Sequence, residues 1–305
     1  LGTRRYAGGN LKIMRWMFGA VCLVAVNLCG TTSVLAAKPL ANAEPFVPYA
    51  DEFASAIVMT PKLHQVLYAF KPELAHPAAS LSKLPNALAF LTRGIRMSRR
   101  VSLLKQDEVG GGRLRLSPGS TMTVQDMFYS NITASANNTA MALARLSGLK
   151  PAAFLRLMNQ EAKSAGAKHS VFFDFAGMDP RNITTAKDMA LIADRAFANP
   201  TIRRAASLES YSFIARYGRT RINKTIKNTN DLLTKDPSMW VIGGKTGYLE
   251  EAKNNLAVRL RELDVYGKPI PGTDIIVIVF GASTKESMFA AAKRLALWTW
   301  KTHAF

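Results

Sequence analysis

Two hydrophobic rhythms divide this chain. Near its N-terminal side, "ASAIVM" and "QVLYAF" are apolar, β-rich runs separated by "TPKLH", which predicts an antiparallel hairpin over residues 54 to 70. Beyond it, apolar residues recur every three or four positions in "LSKLPNALAFLTRGIRM", "TVQDMFYSNITASANNTAMALARLSG", "KPAAFLRLMNQEAKSAG" and "TAKDMALIADRAFANP". That spacing lines one face of a helix, with Thr123 and Thr185 placed as N-caps and Gly148 and Gly166 as stops. After about residue 208 the β pattern returns in "SYSFIA", "MWVIGGKTGY", "NNLAVRLREL" and "TDIIVIVFGA", with "VYGKPIPG" as a loop between the last two. A final helix, "KESMFAAAKRLALWTW", closes the chain.

Strands at both ends with helices between them predict an α+β fold. One antiparallel sheet is built from the N- and C-terminal segments, and the mainly helical portion is inserted as a lobe. A cleft between sheet and lobe is then the natural site.

The first 43 residues follow another pattern. No charged residue occurs from Trp16 to Ala37, where the apolar core "WMFGAVCLVAV" follows Arg15 and gives way to small residues at Val34-Leu35-Ala36 and Ala41-Asn42-Ala43. This order of charge, apolar core and small residues is that of a secretory signal peptide, with Met14 as a start codon and residues 1 to 13 as read-through. An uncleaved membrane anchor is the alternative, and Asn27 with the polar "GTTS" argues against it. The expectation is a signal peptide and linker over 1–43 and a single folded domain over 44–305, exported to the periplasm or beyond. The mature chain then begins between Ala37 and Glu44 and carries no membrane anchor.

Composition adds three constraints. At 305 residues and 48% hydrophobic, the chain can bury a large core. Both cysteines, Cys22 and Cys29, lie in the signal segment, so the mature protein holds itself together without disulfides. The formal charge is +19; losing residues 1–37 removes Arg4, Arg5, Lys12 and Arg15 and no acidic residue, leaving 36 basic against 21 acidic side chains. A basic surface favours anionic partners without naming one, and export disfavours a chromosomal nucleic-acid role.

Three short elements carry chemistry. Ser80 precedes Lys83 by three residues at the start of an apolar helix, so the amine can reach the hydroxyl; alone, the pair reads more readily as a helix cap beside a solvated lysine. "SAN" at Ser135-Ala136-Asn137 interrupts two helical stretches and by itself is a polar loop. Lys245-Thr246-Gly247 ends a β-rich run; a phosphate-binding loop is rejected there, because Met239 stands where its first glycine belongs.

Together and in this order, SxxK, SxN and KTG are the signature of the penicillin-recognising serine enzymes. The chain resembles the low-molecular-mass penicillin-binding proteins that are D-alanyl-D-alanine carboxypeptidases. The resemblance runs from about Phe53 to the last helix through "AASLSK", "RLSPGSTMTVQDMFYSNITASANNTAMALA", "ITTAKDMALIA", "NTNDLL" and "GGKTGYLEEAKNNLAV". It implies that Ser80 attacks the carbonyl between the terminal D-alanines of a peptidoglycan stem peptide, and that Lys83, held near neutral by burial and neighbouring positive charge, takes its proton. It further implies that Ser135 relays a proton to the leaving D-alanine and that Asn137 binds substrate backbone and steadies Lys83. Lys245 and Thr246 would hold the terminal carboxylate, Gly247 would let substrate lie along the strand, and the N–H groups of Ser80 and Tyr248 would form the oxyanion hole. β-Lactam antibiotics are the implied covalent inhibitors. No cofactor or metal is implied, and His64, His76, His169 and His303 show no ligand spacing.

Three positions depart from the family pattern: Pro85 inside the helix after Ser80, at about 3 kcal/mol if that helix is regular there, Ala136 where glycine is usual, and Tyr248-Leu249 in place of His-Thr. A D,D-endopeptidase begins with the same acylation and is an alternative. A β-lactamase needs a glutamate and an asparagine to activate water, and between Leu149 and Pro200 the only glutamate is Glu161, in a helix. A catalytically weak wall-binding protein is the alternative from a different class.

Overall fold

The structure is a computed structural model describing residues 36–305; the apolar core of the expected signal peptide, with Cys22 and Cys29, lies outside the described residues. After β1 (Lys38–Pro39) the two apolar runs form the antiparallel hairpin of β2 (Ser55–Met59) and β3 (Val66–Phe70). β4 (His76–Pro77) leads through a 3-10 turn, Ala79–Ser82, into α1 (Lys83–Leu91). The lobe follows, with β5 (Arg100–Ser102), β6 (Thr121–Thr123), α2 (Val124–Thr133), α3 (Asn137–Leu146) and α4 (Pro151–Ser164). It ends with β7 (Ile183–Thr184), α5 (Ala186–Ala198), α6 (Pro200–Ser207) and the hairpin of β8 (Ser210–Tyr217) and β9 (Thr220–Lys227). The short α7 (Asp231–Thr234), then β10 (Trp240–Leu249), β11 (Lys253–Arg261), β12 (Ile275–Ala282), α8 (Lys285–Thr302) and β13 (His303–Ala304) complete the chain.

The main sheet is antiparallel in the order β10-β11-β12-β2-β3, so N-terminal strands are stitched to C-terminal ones as the sequence pattern predicts. The strand period of two sorts the core. On β12, Ile276, Ile278 and Phe280 face the helical lobe, while Ile275, Val277 and Val279 face α8. Both faces are covered, which is why "IIVIVF" carries no polar residue.

Local signals account for the helix ends. The Thr123 hydroxyl accepts from the Asp126 N–H and the Asp126 carboxylate from the Thr123 N–H, a capping box; Thr185 accepts from the Asp188 N–H. Gly148 and Gly166 follow α3 and α4 with φ of +76° and +92°.

Two expectations change in detail. The α-helix starts at Lys83 rather than Ser80, so Pro85 is its third residue, where the backbone N–H has no partner within the helix, and the interior proline cost does not arise. "SYSFIA" joins not the main sheet but a second, four-stranded sheet on the lobe, ordered β5-β6-β8-β9. Its partner "TRINKTIK" has too few apolar residues to advertise a strand.

Candidate active site

Ser80 sits in the 3-10 turn with its side chain capping nothing, and it follows Ala79, which has a φ of +49°. A residue with a Cβ holds that left-handed conformation only where its surroundings enforce it. The enforcement comes from two sides. Ala78 N–H donates to Asn182 O at 2.7 Å, and Asn255 on β11 donates to Pro77 O at 2.9 Å. Gly247 on β10 closes the arrangement: a Cβ there would lie 3.1 Å from the Ser80 nitrogen and 3.1 Å from the Ala79 Cβ.

One turn on, the Lys83 amine donates to Ser80 Oγ at 2.8 Å, to Asn137 Oδ1 at 2.7 Å and to the Ala176 carbonyl. Lys83 is fully buried, and burial pushes its pKa down to about 7; the nearby Asp174 carboxylate pulls the other way. Burial, not a neighbouring positive charge, is therefore what neutralises it. Lys245, 1% exposed, donates to Ser135 Oγ at 2.6 Å and to Thr246 O at 2.7 Å. Its pKa is also held well below the ordinary lysine value, first by burial and then by Lys83.

Ser135 has a φ of +57° in the α2–α3 junction, so the polar interruption in the sequence is a strained connection that turns the hydroxyl toward Lys245. Asn137 opens α3, and its amide nitrogen donates to Gly110 O at 2.8 Å and to Met178 Sδ at 2.9 Å. The Thr246 hydroxyl meets that of Thr229 at 2.6 Å. All eight candidate residues thus come together: Ser80, Lys83, Ser135 and Asn137 from the lobe side, Lys245, Thr246, Gly247 and Tyr248 from β10. A cavity of about 510 Å³ opens on Ser80, Ser135, Asn137, Thr246, Gly247 and Tyr248. A larger hollow of about 830 Å³ lies between α6 and the start of β10, but it contains no residue of the three motifs, and its Arg259 and Arg261 are already bound to Asp274.

Sequence reasoning missed the loop from Asp174 to Asn182. The Asp174 carboxylate accepts from four successive N–H groups, those of Ala176, Gly177, Met178 and Asp179, and from the Asn182 amide. This holds Ala176 O against Lys83 and Met178 against Asn137. The Asp-Gly-Asp-Pro composition of "DFAGMDP" signals a turn, but nothing local says what the turn touches. Of the departures from the family pattern, Ala136 is buried and out of a substrate's reach, whereas Tyr248 is 61% exposed at the cavity rim. Glu161, the glutamate weighed for water activation, is bound to Arg195 at 2.8 Å.

Comparison with known proteins agrees with this geometry. Residues 44–284 match the family described as D-alanyl-D-alanine carboxypeptidase. A D-alanyl-D-alanine endopeptidase of Escherichia coli is 28% identical over 249 residues, covering 80% of this chain and 76% of the relative. A D-alanyl-D-alanine carboxypeptidase of Bacillus subtilis, DacF, is 29% identical over 255 residues, covering 81% of this chain and 61% of the relative. In fold, a mutant of the Streptomyces K15 DD-transpeptidase superposes with a TM-score of 0.75 at 22% identity, covering 85% of this chain and 100% of that structure. The chain belongs to the D-alanyl-D-alanine carboxypeptidase family, the serine peptidases of the penicillin-binding protein fold.

Proposed function

We propose that this peptidase removes the terminal D-alanine from peptidoglycan stem peptides through an acyl-enzyme on Ser80. The observation that carries the reading is a wholly buried Lys83 amine, brought to a pKa of about 7 and placed 2.8 Å from Ser80 Oγ. Neutral Lys83 takes the Ser80 proton as Oγ bonds to the carbonyl carbon, and the oxyanion forms between the N–H groups of Ser80 and Tyr248. Collapse breaks the C–N bond; Ser135, bonded to Lys245, passes a proton to the departing amine, and water then hydrolyses the ester. Lys245 and Thr246 hold the substrate's terminal carboxylate, and Asn137 keeps Lys83 in place. A β-lactam follows the first half of this path and remains as the ester on Ser80.

Cutting a D,D-cross-link begins with the same acylation, and the E. coli relative named an endopeptidase favours testing it alongside. Export through the N-terminal signal segment places the enzyme outside the cytoplasm, where its basic surface holds anionic cell-wall polymer. Among the described residues, no helix is long and apolar enough to cross a membrane.

Labelled penicillin tests the assignment. The wild type should be marked covalently; Ser80→Ala should lose the label and D-alanine release while staying folded, because the side chain caps nothing. Lys245→Ala should still label, but slower by roughly 100-fold or more. A label on Ser80→Ala at another residue would overturn the reading. Mass analysis of products from a defined pentapeptide and from purified sacculi separates trimming from cross-link cleavage.

A further inference from the structure

Several arginines are matched to carboxylates: Arg145 to Asp107, Arg195 to Glu161, Arg259 and Arg261 to Asp274, Arg294 to Glu52. The β8–β9 hairpin gathers basic residues that have no such match. From Ser210 to Asn230 there are five basic residues, Arg216, Arg219, Arg221, Lys224 and Lys227, and no acidic one. None of the five forms an ion pair among the described residues.

Their placement sets like charges against each other. On β8, Phe213 and Ala215 point inward and Ser212, Ile214 and Arg216 point out. The register sets Arg216 directly opposite Arg221, and Ser210 opposite Lys227. On the other side Arg216 faces Thr121 of β6, whose carbonyl and hydroxyl hold the Arg100 guanidinium at 3.1 and 3.4 Å. Arg216 and Arg221 are thereby carried on neighbouring strands of one open sheet face, at a strand spacing of about 4.8 Å, with Arg100 on β5 across the intervening β6.

Like charges directly opposite each other weaken a sheet. Guarding the outer edge against strand pairing explains charges on β9, the last strand of this sheet. It does not explain Arg216, which stands on the inner strand β8 directly opposite Arg221. An anionic partner does explain the pair, since guanidiniums grip carboxylates in two-point fashion and lose their mutual repulsion when it is bound. The location also suits substrate. β9 runs on within two residues to Thr229, whose hydroxyl meets Thr246 in the cleft.

We propose that the open face of the β5-β6-β8-β9 sheet is a second binding surface for peptidoglycan, gripping the carboxylates of stem peptides that neighbour the one being cut. This rests on the wall-acting reading above and adds a place and a chemistry for the retention. The surface raises the local concentration of stem peptides at the cleft and takes no part in acylation.

The test uses the mature protein, purified sacculi and two variants, Arg216→Thr/Arg221→Thr and Arg221→Glu. Co-sedimentation with sacculi at low salt should fall on the order of tenfold in both variants. It should fall equally for the wild type when sacculus carboxylates are amidated with carbodiimide and glycinamide. Thermal midpoints should stay level or rise, because the double variant relieves a repulsion and Arg221→Glu supplies a cross-strand ion pair. Penicillin labelling and D-alanine release from a soluble pentapeptide should be unchanged, while release from sacculi slows.

Wild-type sedimentation by both variants overturns the proposal, as does sedimentation indifferent to amidation. So does wild-type binding to inorganic polyphosphate or to phosphatidylglycerol vesicles in preference to sacculi. A double variant that binds normally but self-associates makes these residues edge guards only. Penicillin labelling reports Ser80 separately, so the surface and the active-site assignment can fail independently.

Discussion

Lys83 is buried away from solvent, and that decides its chemistry. A lysine in solution keeps its proton to about 10.5, while this one, fully buried, gives it up near 7, so at neutral pH much of the population holds a free base against Ser80 Oγ. Penicillin acylation should therefore rise with pH through about 7 and level off above it. Asp174 is the charge that favours the protonated amine, so Asp174→Asn should move the acidic limb to lower pH. A profile flat through pH 7 would remove Lys83 from the role of base. The same group sets a sign for stability. Between about 7 and 10.5 the unfolded chain carries a proton on Lys83 that the folded chain lacks, so unfolding free energy should increase with pH across that window. Below it both states are protonated, and the fold bears the full cost of a buried ammonium.

At the scale of elements, the loop after Asp174 is a clamp on the nucleophile turn. Gly177 has a φ of +83°, and a Cβ on it would lie 2.0 Å from the Ala79 carbonyl oxygen. No rotamer relieves a clash between two backbones. Gly177→Ala should lower stability by about 1–3 kcal/mol or more and depress penicillin acylation even in the fraction that remains folded. Gly148→Ala is the control, with a φ of +76° and nothing within 4 Å of the new Cβ. It carries the conformational strain alone, about 1 kcal/mol, and should leave acylation untouched. Equal acylation in both folded variants would show that the clamp does not position Ser80.

On the scale of the whole molecule, the two ends of the described chain are tied together. Lys38 pairs with Ala304 and Pro39 with His303, Ala37 is buried, and its carbonyl accepts from the Gln65 amide at 2.6 Å. Of the two small-residue sites in the proposed signal segment, a cut after Ala36 would preserve this pairing and a cut after Ala43 would remove it. N-terminal sequencing of the exported protein should find Ala37 first. Glu44 at the terminus would mean that the β1–β13 pair is dispensable, and a membrane-embedded chain retaining Trp16 would mean that the signal is not cleaved.

Much of this architecture was legible from pattern, because the information was local. "SAIVM" and "IIVIVF" read as central strands because they are almost wholly apolar, Ser55 being the one polar residue they bury, and Thr123, Thr185, Gly148 and Gly166 mark helix ends through bonds to their own neighbours. The three motifs named Ser80, Ser135 and Lys245 because their order and element types together are specific, although each alone is not. Proximity belonged to the tertiary structure. Lys245 lies 110 residues from the Ser135 hydroxyl it meets, and no spacing rule reaches that far. Asp174 escaped notice for the same reason: its bonds are local, but its consequence is the placing of Ala176 O on Lys83, 93 residues away. The start of α1 at Lys83, which makes Pro85 harmless, and the opposition of Arg216 to Arg221 were likewise settled by packing and register. Sequence determines which side chains can do chemistry and which surfaces must be buried; only the folded chain supplies the burial that makes a lysine a base at neutral pH.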